Sequence, residues 1–430
     1  MSEAWLVVLL FGSLCTLLFL RVPLAVGLAT ATMLTIMCTG MPPMLLVERM
    51  YAALNYFPLL AIPFFILAGY LMNQGNITDR FIDLAQVLVG HIRGGIAQVN
   101  VFCSMMFATV SGTATADTAG MGSMMIPAMV RRGYSPGFSA AITAASSTMG
   151  AIIPPSVLMI VYGSLTNISM SRLFLAGFIP GALVGISQMA MAWFMAKRMG
   201  VEPTPRARAP EVLQAFRRCL LPLGVPVIIF GGILSAVFTP TEAGVIAVAY
   251  TLVVIVLLRS IRLNQLPQIA RDAALMVSLP TFAIAAAVAF GWMVAYLQVP
   301  EMVAGLIGGR DIGPTAGLLL IVAIFFTVGL FIDGVPAMII FLPIAQQIAA
   351  SVGIDPLQMA MVIVMTAALG LITPPFGLCI LIAGSIAKVP MPVVIRETMP
   401  FVLAMLLLIL ALILFPQIVL FLPDLIMGAA

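Results

Sequence analysis

Two short stretches of this chain gather the residue types that could do chemistry inside an otherwise apolar sequence. Ser111-Gly112-Thr113-Ala114-Thr115-Ala116-Asp117 brings hydroxyls and a carboxylate together, and Gly150-Ala151-Ile152-Ile153-Pro154-Pro155-Ser156 sets two prolines and a serine in the middle of an apolar run. A second pair lies further on, at Gly329 to Gly334 with Asp333, and at Ile372-Thr373-Pro374-Pro375. Hydroxyls and backbone carbonyls released from helical bonding are ligands for a hard cation such as sodium, and interrupted helix N-termini favour anions. Other chemistries are excluded by what is missing. His91 is the only histidine, which removes histidine-based zinc motifs and any Ser-His-Asp triad. Lys197 and Lys388 are the only lysines and neither sits in a phosphate-binding loop, so no ATP hydrolysis is expected. The five cysteines have neither metal-ligand nor disulfide-framework spacing. Glu242 falls in Thr239-Pro240-Thr241-Glu242, the spacing of a capping box with proline at the first helical position, rather than in a catalytic setting. No resident cofactor is expected, and no basic patch supports nucleic-acid binding.

The elements that position these stretches must lie in a membrane. Of 430 residues, 63% are hydrophobic and only 8% charged, where a soluble domain is about one-quarter charged. Mean hydropathy is +1.20, and the apolar runs have the roughly 18 to 25 residues that a helical span needs. The pattern predicts an all-α polytopic membrane protein with about ten crossings. The first run, 4–20, is followed rather than preceded by a basic residue, the reverse of a signal peptide, and is expected to stay as a span with its N-terminus outside. An amphipathic stretch around 48–56 and a polar segment at 76–93 separate the early spans. The run from 94 stops at the hydroxyl-rich stretch and resumes to Arg131-Arg132. With Arg93 and that pair on one side, residues 94–131 predict a re-entrant hairpin with its tip at membrane depth. Prolines 154 and 155 predict a span at 136–165 broken near its centre. The polar segment 197–218, with six basic residues against two acidic ones, is the longest loop and is expected inside.

The second half repeats the first. Gly353 and Pro356 match Gly133 and Pro136, and Gly370, Pro374 and Pro375 match Gly150, Pro154 and Pro155, all at an offset of 220. Residues 58–69 also track 280–291 at an offset of 222. The expected organisation is a first repeat at 1–208, a cytoplasmic linker at 209–218 and a second repeat at 219–430, the latter with a hairpin at 314–349 and a broken helix at 356–387. Five crossings per half make the repeats inverted in topology. Threading the chain this way leaves Arg49, Arg172 and Arg310 outside and the other sixteen of the 19 basic residues inside. It also puts both termini outside, in the periplasm, and 197–218 in the cytoplasm. Inverted repeats, each with a hairpin and a broken helix, are the architecture of a secondary transporter. Asp117 and Asp333 each have two readings, direct contact with ion or substrate, or capping and bracing of a hairpin tip. The pair also admits an intramembrane aspartyl hydrolase as a rival.

The stretch Ser111 to Ser123, the Gly-Tyr-Ser-Pro to Ile-Ile-Pro-Pro-Ser segment, Thr239-Pro240-Thr241-Glu242-Ala243-Gly244 and Ile372-Thr373-Pro374-Pro375-Phe376-Gly377 resemble the large membrane (M) subunit of TRAP (tripartite ATP-independent periplasmic) transporters over nearly the whole chain. The resemblance implies sodium-coupled uptake of an organic acid anion (a dicarboxylate, keto acid or sugar acid) across the bacterial inner membrane. It implies a periplasmic substrate-binding protein and a small four-helix membrane subunit as partners, and an elevator in which hairpins and broken helices move within the lipid bilayer. An autonomous carrier working without a binding protein is the alternative. Carried over by residue, Ser111, Gly112, Thr113 and Thr115 with Ile153 and Pro154 correspond to one sodium-binding half. Gly329, Asp333 and Gly334 with Ile372, Thr373 and Pro374 correspond to the other. Asp117, Pro155, Ser156, Asp333 and Pro375 are expected around the substrate between the two tips. The sequence departs from the family at the second tip, where Phe331-Ile332 stands in place of small or hydroxyl residues.

Overall fold

The computed structural model describes residues 3–55, 57–75, 77–199, 205–235, 237–261, 263–302, 313–375 and 377–428. Arg310 and Phe376, both used above, lie outside them. The described residues form helices α1 (Glu3–Phe19), α2 (Leu24–Thr39), α3 (Met44–Leu54), α4 (Ala61–Gln74), α5 (Ile77–Val89), α6 (Ile96–Ser111), α7 (Ala114–Arg131), α8 (Pro136–Ser147), α9 (Val157–Thr166), α10 (Met170–Met199), α11 (Ala209–Leu234), α12 (Pro240–Leu258), α13 (Leu266–Tyr296), α14 (Pro314–Gly329), α15 (Gly334–Val352), α16 (Pro356–Gly370), α17 (Leu378–Ala387), α18 (Met391–Leu414) and α19 (Gln417–Met427). Six of them, among the described residues, are long and apolar enough to cross a membrane alone: α10, α11, α12, α13, α15 and α18. The rest are shorter, and several meet end to end. α8 and α9 are separated by a 3-10 turn and a non-helical break, and α16 and α17 by a break whose described residues are 371–375 and 377.

Two sequence expectations shift. Residues 76–93 are not simply polar linker, because α5 is an amphipathic helix that buries Phe81, Leu84 and Ala85 against α6 and α11. The segment 197–218 is shorter as a loop than expected. α10 runs to Met199, and the expected linker at 209–218 forms the first turns of α11, where the Arg208 amide donates to the Glu211 carboxylate at 2.9 Å.

Local chemistry explains where helices start. Ser135, Ser156 and Asp355 cap α8, α9 and α16 through their side-chain oxygens, with Pro136 and Pro356 in the first helical turn. At α12 the reciprocal pair is complete: the Thr239 amide donates to Glu242 (2.8 Å) and the Glu242 amide to Thr239 Oγ1 (3.3 Å). Glu242 is therefore a capping residue. Replacing Thr239 by alanine is expected to lower stability by about 1 kcal/mol, read as a small fall in thermal midpoint with transport retained.

Side-chain contacts sort the helix ends into two sets. At one end, Arg172 forms an ion pair with Asp424 (2.7 Å), Ser171 donates to the Ile233 carbonyl, and Gln358 donates to Leu412. At the other, Tyr134 donates to the Gly94 carbonyl (2.5 Å), Arg80 to Arg218 (2.9 Å), and Gly137 packs against Val393. Burial pushes the Tyr134 phenol up to about 12, so it remains a donor across the working pH range.

Between the ends lies an interlocked centre. α8 packs on α7 and on α17 from the second half of the chain, and α9 reaches across to α15 and α16. α4 packs on α12, and α13 on α2, α3 and α15, around this centre.

Candidate functional site

Each hairpin tip is seated on the break that follows it. α6 ends at Ser111, and α7 begins at Ala114, so the first tip is only Gly112 and Thr113, tighter than the seven residues suggested by composition. Gly112 has φ +63°, a left-handed conformation suited to glycine, and a side chain there would approach the Pro155 carbonyl to 2.9 Å. Its own carbonyl accepts the Val157 amide at 3.0 Å, a hydrogen bond that fastens tip to break. On the opposite side, a Cβ added to Gly150 would lie 2.8 Å from the Thr113 carbonyl oxygen. The second hairpin has the same seat. A Cβ on Gly370 would lie 2.8 Å from the Gly329 carbonyl oxygen. Both double prolines contain a cis peptide bond, Pro154–Pro155 and Pro374–Pro375. Two more glycines let neighbouring helices approach: Gly69 of α4 faces the Ser111 backbone, and Gly291 of α13 faces the Ile339 carbonyl.

The two seats also meet each other. Gly334, at the start of α15, packs between Ala367 of α16 and Leu158 of α9, and Gly122 of α7 packs against Ile386 of α17. Cys379 of α17 faces Thr118 of α7, with Asp117 and Asp333 both within electrostatic reach.

The chemistry of the first seat is dominated by acceptors. Asp117 is fully buried, in the first turn of α7, and neither carboxylate oxygen has a hydrogen-bond partner. It does not cap α7, because that helix begins three residues earlier with Thr113 at the cap position. Ser104 and Ser147 face it. Ser147 donates to the Thr143 carbonyl at 2.8 Å. Ser146 Oγ lies 3.1 Å from that carbonyl and 3.1 Å from Ser104 Oγ, and in the second contact either hydroxyl can be the donor. Ser111 Oγ and Asn100 Oδ1 are also buried without partners. A buried carboxylate with no ion-pair partner among the described residues is an electrostatic deficit that a bound cation would repair. Ser104, Asn100, Thr143, Ser146 and Ser147 were not singled out from sequence. Their signal was present, since positions 100, 104 and 111 of α6 and 139, 143 and 147 of α8 each repeat at helical spacing on one face.

The remaining expected residues fall as follows. Thr113 and Thr115 are half-buried at the tip, and Ile153, Pro154 and Pro155 are buried in the break. Ser156 is buried and occupied, donating to the Ala151 carbonyl (2.5 Å) and capping α9. In the second seat, Gly329 ends α14, and Asp333 caps α15, its Oδ1 accepting the Gly334 amide at 2.8 Å. That is the bracing reading for Asp333. Thr373 donates to the Leu369 carbonyl at 2.7 Å, keeping its lone pairs available. Ile372 is buried, whereas Pro375 and Phe331 are exposed, so the second seat is open on a side where the first is sealed. Among the described residues no three His, Cys, Asp or Glu side chains come together as metal ligands, which leaves hydroxyls, carbonyls and single carboxylates as the available ligands.

The sequence pattern of the tripartite ATP-independent periplasmic transporter, DctM component, matches residues 11–418. The chain is 38% identical over 382 residues to the ectoine/5-hydroxyectoine TRAP transporter large permease protein UehC of Ruegeria pomeroyi, covering 88% of this chain and 89% of that one. It is 34% identical to the sialic acid TRAP transporter large permease protein SiaM of Vibrio cholerae, covering 89% and 90%. It is also 34% identical to the C4-dicarboxylate TRAP transporter large permease protein DctM of Pseudomonas aeruginosa, covering 87% and 88%. Among solved structures, the YdaH transporter of Alcanivorax borkumensis has a similar fold, with a TM-score of 0.60 at 14% identity over 86% of each chain. The relatives are permease subunits rather than enzymes, which removes the aspartyl hydrolase reading. The chain is a multi-pass membrane protein and belongs to the family of the large permease component, DctM, of the tripartite ATP-independent periplasmic transporters.

Proposed function

We propose that this chain is the transporting subunit of a sodium-coupled system that takes up an organic acid anion across the bacterial inner membrane. The observation that supports the cation is Asp117, a buried carboxylate whose two oxygens have no hydrogen-bond partner and which faces the Ser104 and Ser147 hydroxyls. In this reading one sodium lies between the first tip and its break, another between Gly329–Gly334 and Ile372–Pro374, and the substrate lies between the tips. The binding protein and the small four-helix subunit are its partners, a reading supported by relatives named as large permeases of TRAP systems for ectoine, sialic acid and C4-dicarboxylates.

Inverted repeats and an elevator belong to the same reading. Helix starts at Pro136 and Pro356 and glycine seats at Gly150 and Gly370 recur at an offset of 220. Gly69 and Gly291 recur at 222. Hairpins fastened to breaks, and breaks interlocked across the halves, would move as one body, with α4, α12 and α13 as the surrounding scaffold. The set of helix ends holding Arg172 and Asp424 is then periplasmic, and the set holding Arg80 and Arg218 is cytoplasmic.

The test is uptake of a labelled organic-acid panel into proteoliposomes containing this chain and its small-subunit partner, with an inward sodium gradient, with and without the binding protein. Uptake that needs both sodium and the binding protein is expected. Equal uptake without the binding protein would replace this reading with an autonomous carrier, and indifference to sodium would remove both ion sites.

A further inference from the structure

A cavity of about 270 Å³, with no residue of either seat in its lining, opens between α3, α9, α13 and α15. Its wall is apolar except at Arg49 and Ser164. Ile284, Val288 and Trp292 line one side at intervals of four, a single face of α13, so the slot runs about 12 Å along that helix at 1.5 Å per residue. Arg49 stands at one end with its guanidinium 4.6 Å from the centre of the Trp292 ring, and Trp292 stacks on Tyr296 at 5.6 Å. Among the described residues Arg49 has no carboxylate within ion-pair distance. Tryptophan, tyrosine and arginine together mark headgroup depth in a membrane protein, and the aliphatic wall beyond them corresponds to hydrocarbon depth.

We propose that this cavity holds an anionic phospholipid, with its phosphate at Arg49 and one acyl chain in the slot beside Val288 and Ile284. Charge complementarity selects the head and the apolar wall selects the chain. A small water-soluble acid would satisfy Arg49 and leave two turns of aliphatic wall unfilled. The occupant bridges α3 and α13 to α9 and α15, so it would act on how these elements sit together. The proposal is independent of the sodium and substrate reading.

Trp292 supplies the test. The chain with its small-subunit partner is reconstituted in zwitterionic vesicles, and emission quenching is titrated with brominated phosphatidylglycerol or brominated phosphatidylcholine. The signal is taken as the difference from a Trp292→Phe variant, which isolates this residue from other tryptophans. The anionic lipid is expected to quench at about fivefold lower mole fraction, the ratio equivalent to roughly 1 kcal/mol per basic residue at an anionic surface. Arg49→Gln is expected to abolish that preference and Arg49→Lys to keep most of it. Equal quenching by the two lipids, or a preference that survives in Arg49→Gln, would overturn the proposal.

Discussion

Replacing Gly150 by valine is expected to reduce uptake about 100-fold while leaving insertion in the membrane intact, and Gly370→Val is expected to do the same. At each position even a Cβ would stand 2.8 Å from a backbone carbonyl oxygen, of Thr113 or Gly329, a distance that real Cβ atoms do not tolerate. The obstructing atoms are backbone, so no side chain can swing aside, and the hairpin tip must lift off its break. At the first seat that lift would also strain the bond from the Val157 amide to the Gly112 carbonyl. The ligands that would hold an ion then separate by something near an ångström, and displacements of that size can cost about 100-fold where geometry controls a rate. Gly12→Ala serves as the control, because nothing lies within 4 Å of its would-be Cβ. Initial uptake rates in proteoliposomes, normalised to reconstituted protein, decide the matter. Unimpaired transport in both seat variants would mean that the tips are not held against the breaks during the cycle.

That pairing was legible in the sequence only in part. Double prolines and hydroxyl-rich interruptions announce where an apolar helix must stop, because proline removes a backbone donor wherever it stands. Among the described residues, helices are accordingly interrupted at 112–113, at 152–156, at 330–333 and from 371. Which surfaces the tips touch was not legible, since contacts of Gly150 with Thr113 and of Gly370 with Gly329 are tertiary and leave no periodic mark. Asp117 and Asp333 show the same limit. In sequence they are equivalent, an acid near a tip with a glycine or threonine after it. In the fold, one is spent on the Gly334 amide as a cap, and the other stands a turn inside its helix with both oxygens unpartnered. A difference of a few residues in where each helix begins separates bracing from binding, and helix starts are the least certain feature of any sequence pattern.

Asp117→Asn is expected to abolish sodium-dependent uptake and, at the same time, to stabilise the protein in sodium-free buffer. The two effects have one cause. An ionised carboxylate with no counter-charge in a buried site carries a desolvation penalty of several kcal/mol, and asparagine of nearly the same shape removes the charge and adds donors that the Ser104 and Ser147 oxygens can accept. A bound cation offsets the same penalty in the native chain. At sodium about 100 times its dissociation constant, that binding would stabilise the fold by about 2.7 kcal/mol. The thermal midpoint of the native chain should therefore rise with sodium and not with choline at equal ionic strength, whereas the midpoint of Asp117→Asn should start higher and respond less. Asp333→Asn is the comparison, because an asparagine oxygen can still cap α15 and should cost no more than about 1 kcal/mol. A purely structural Asp117 would give the opposite pattern, a lower midpoint without sodium and an unchanged sodium increment, and would move the cation to the hydroxyls and carbonyls of the tip alone.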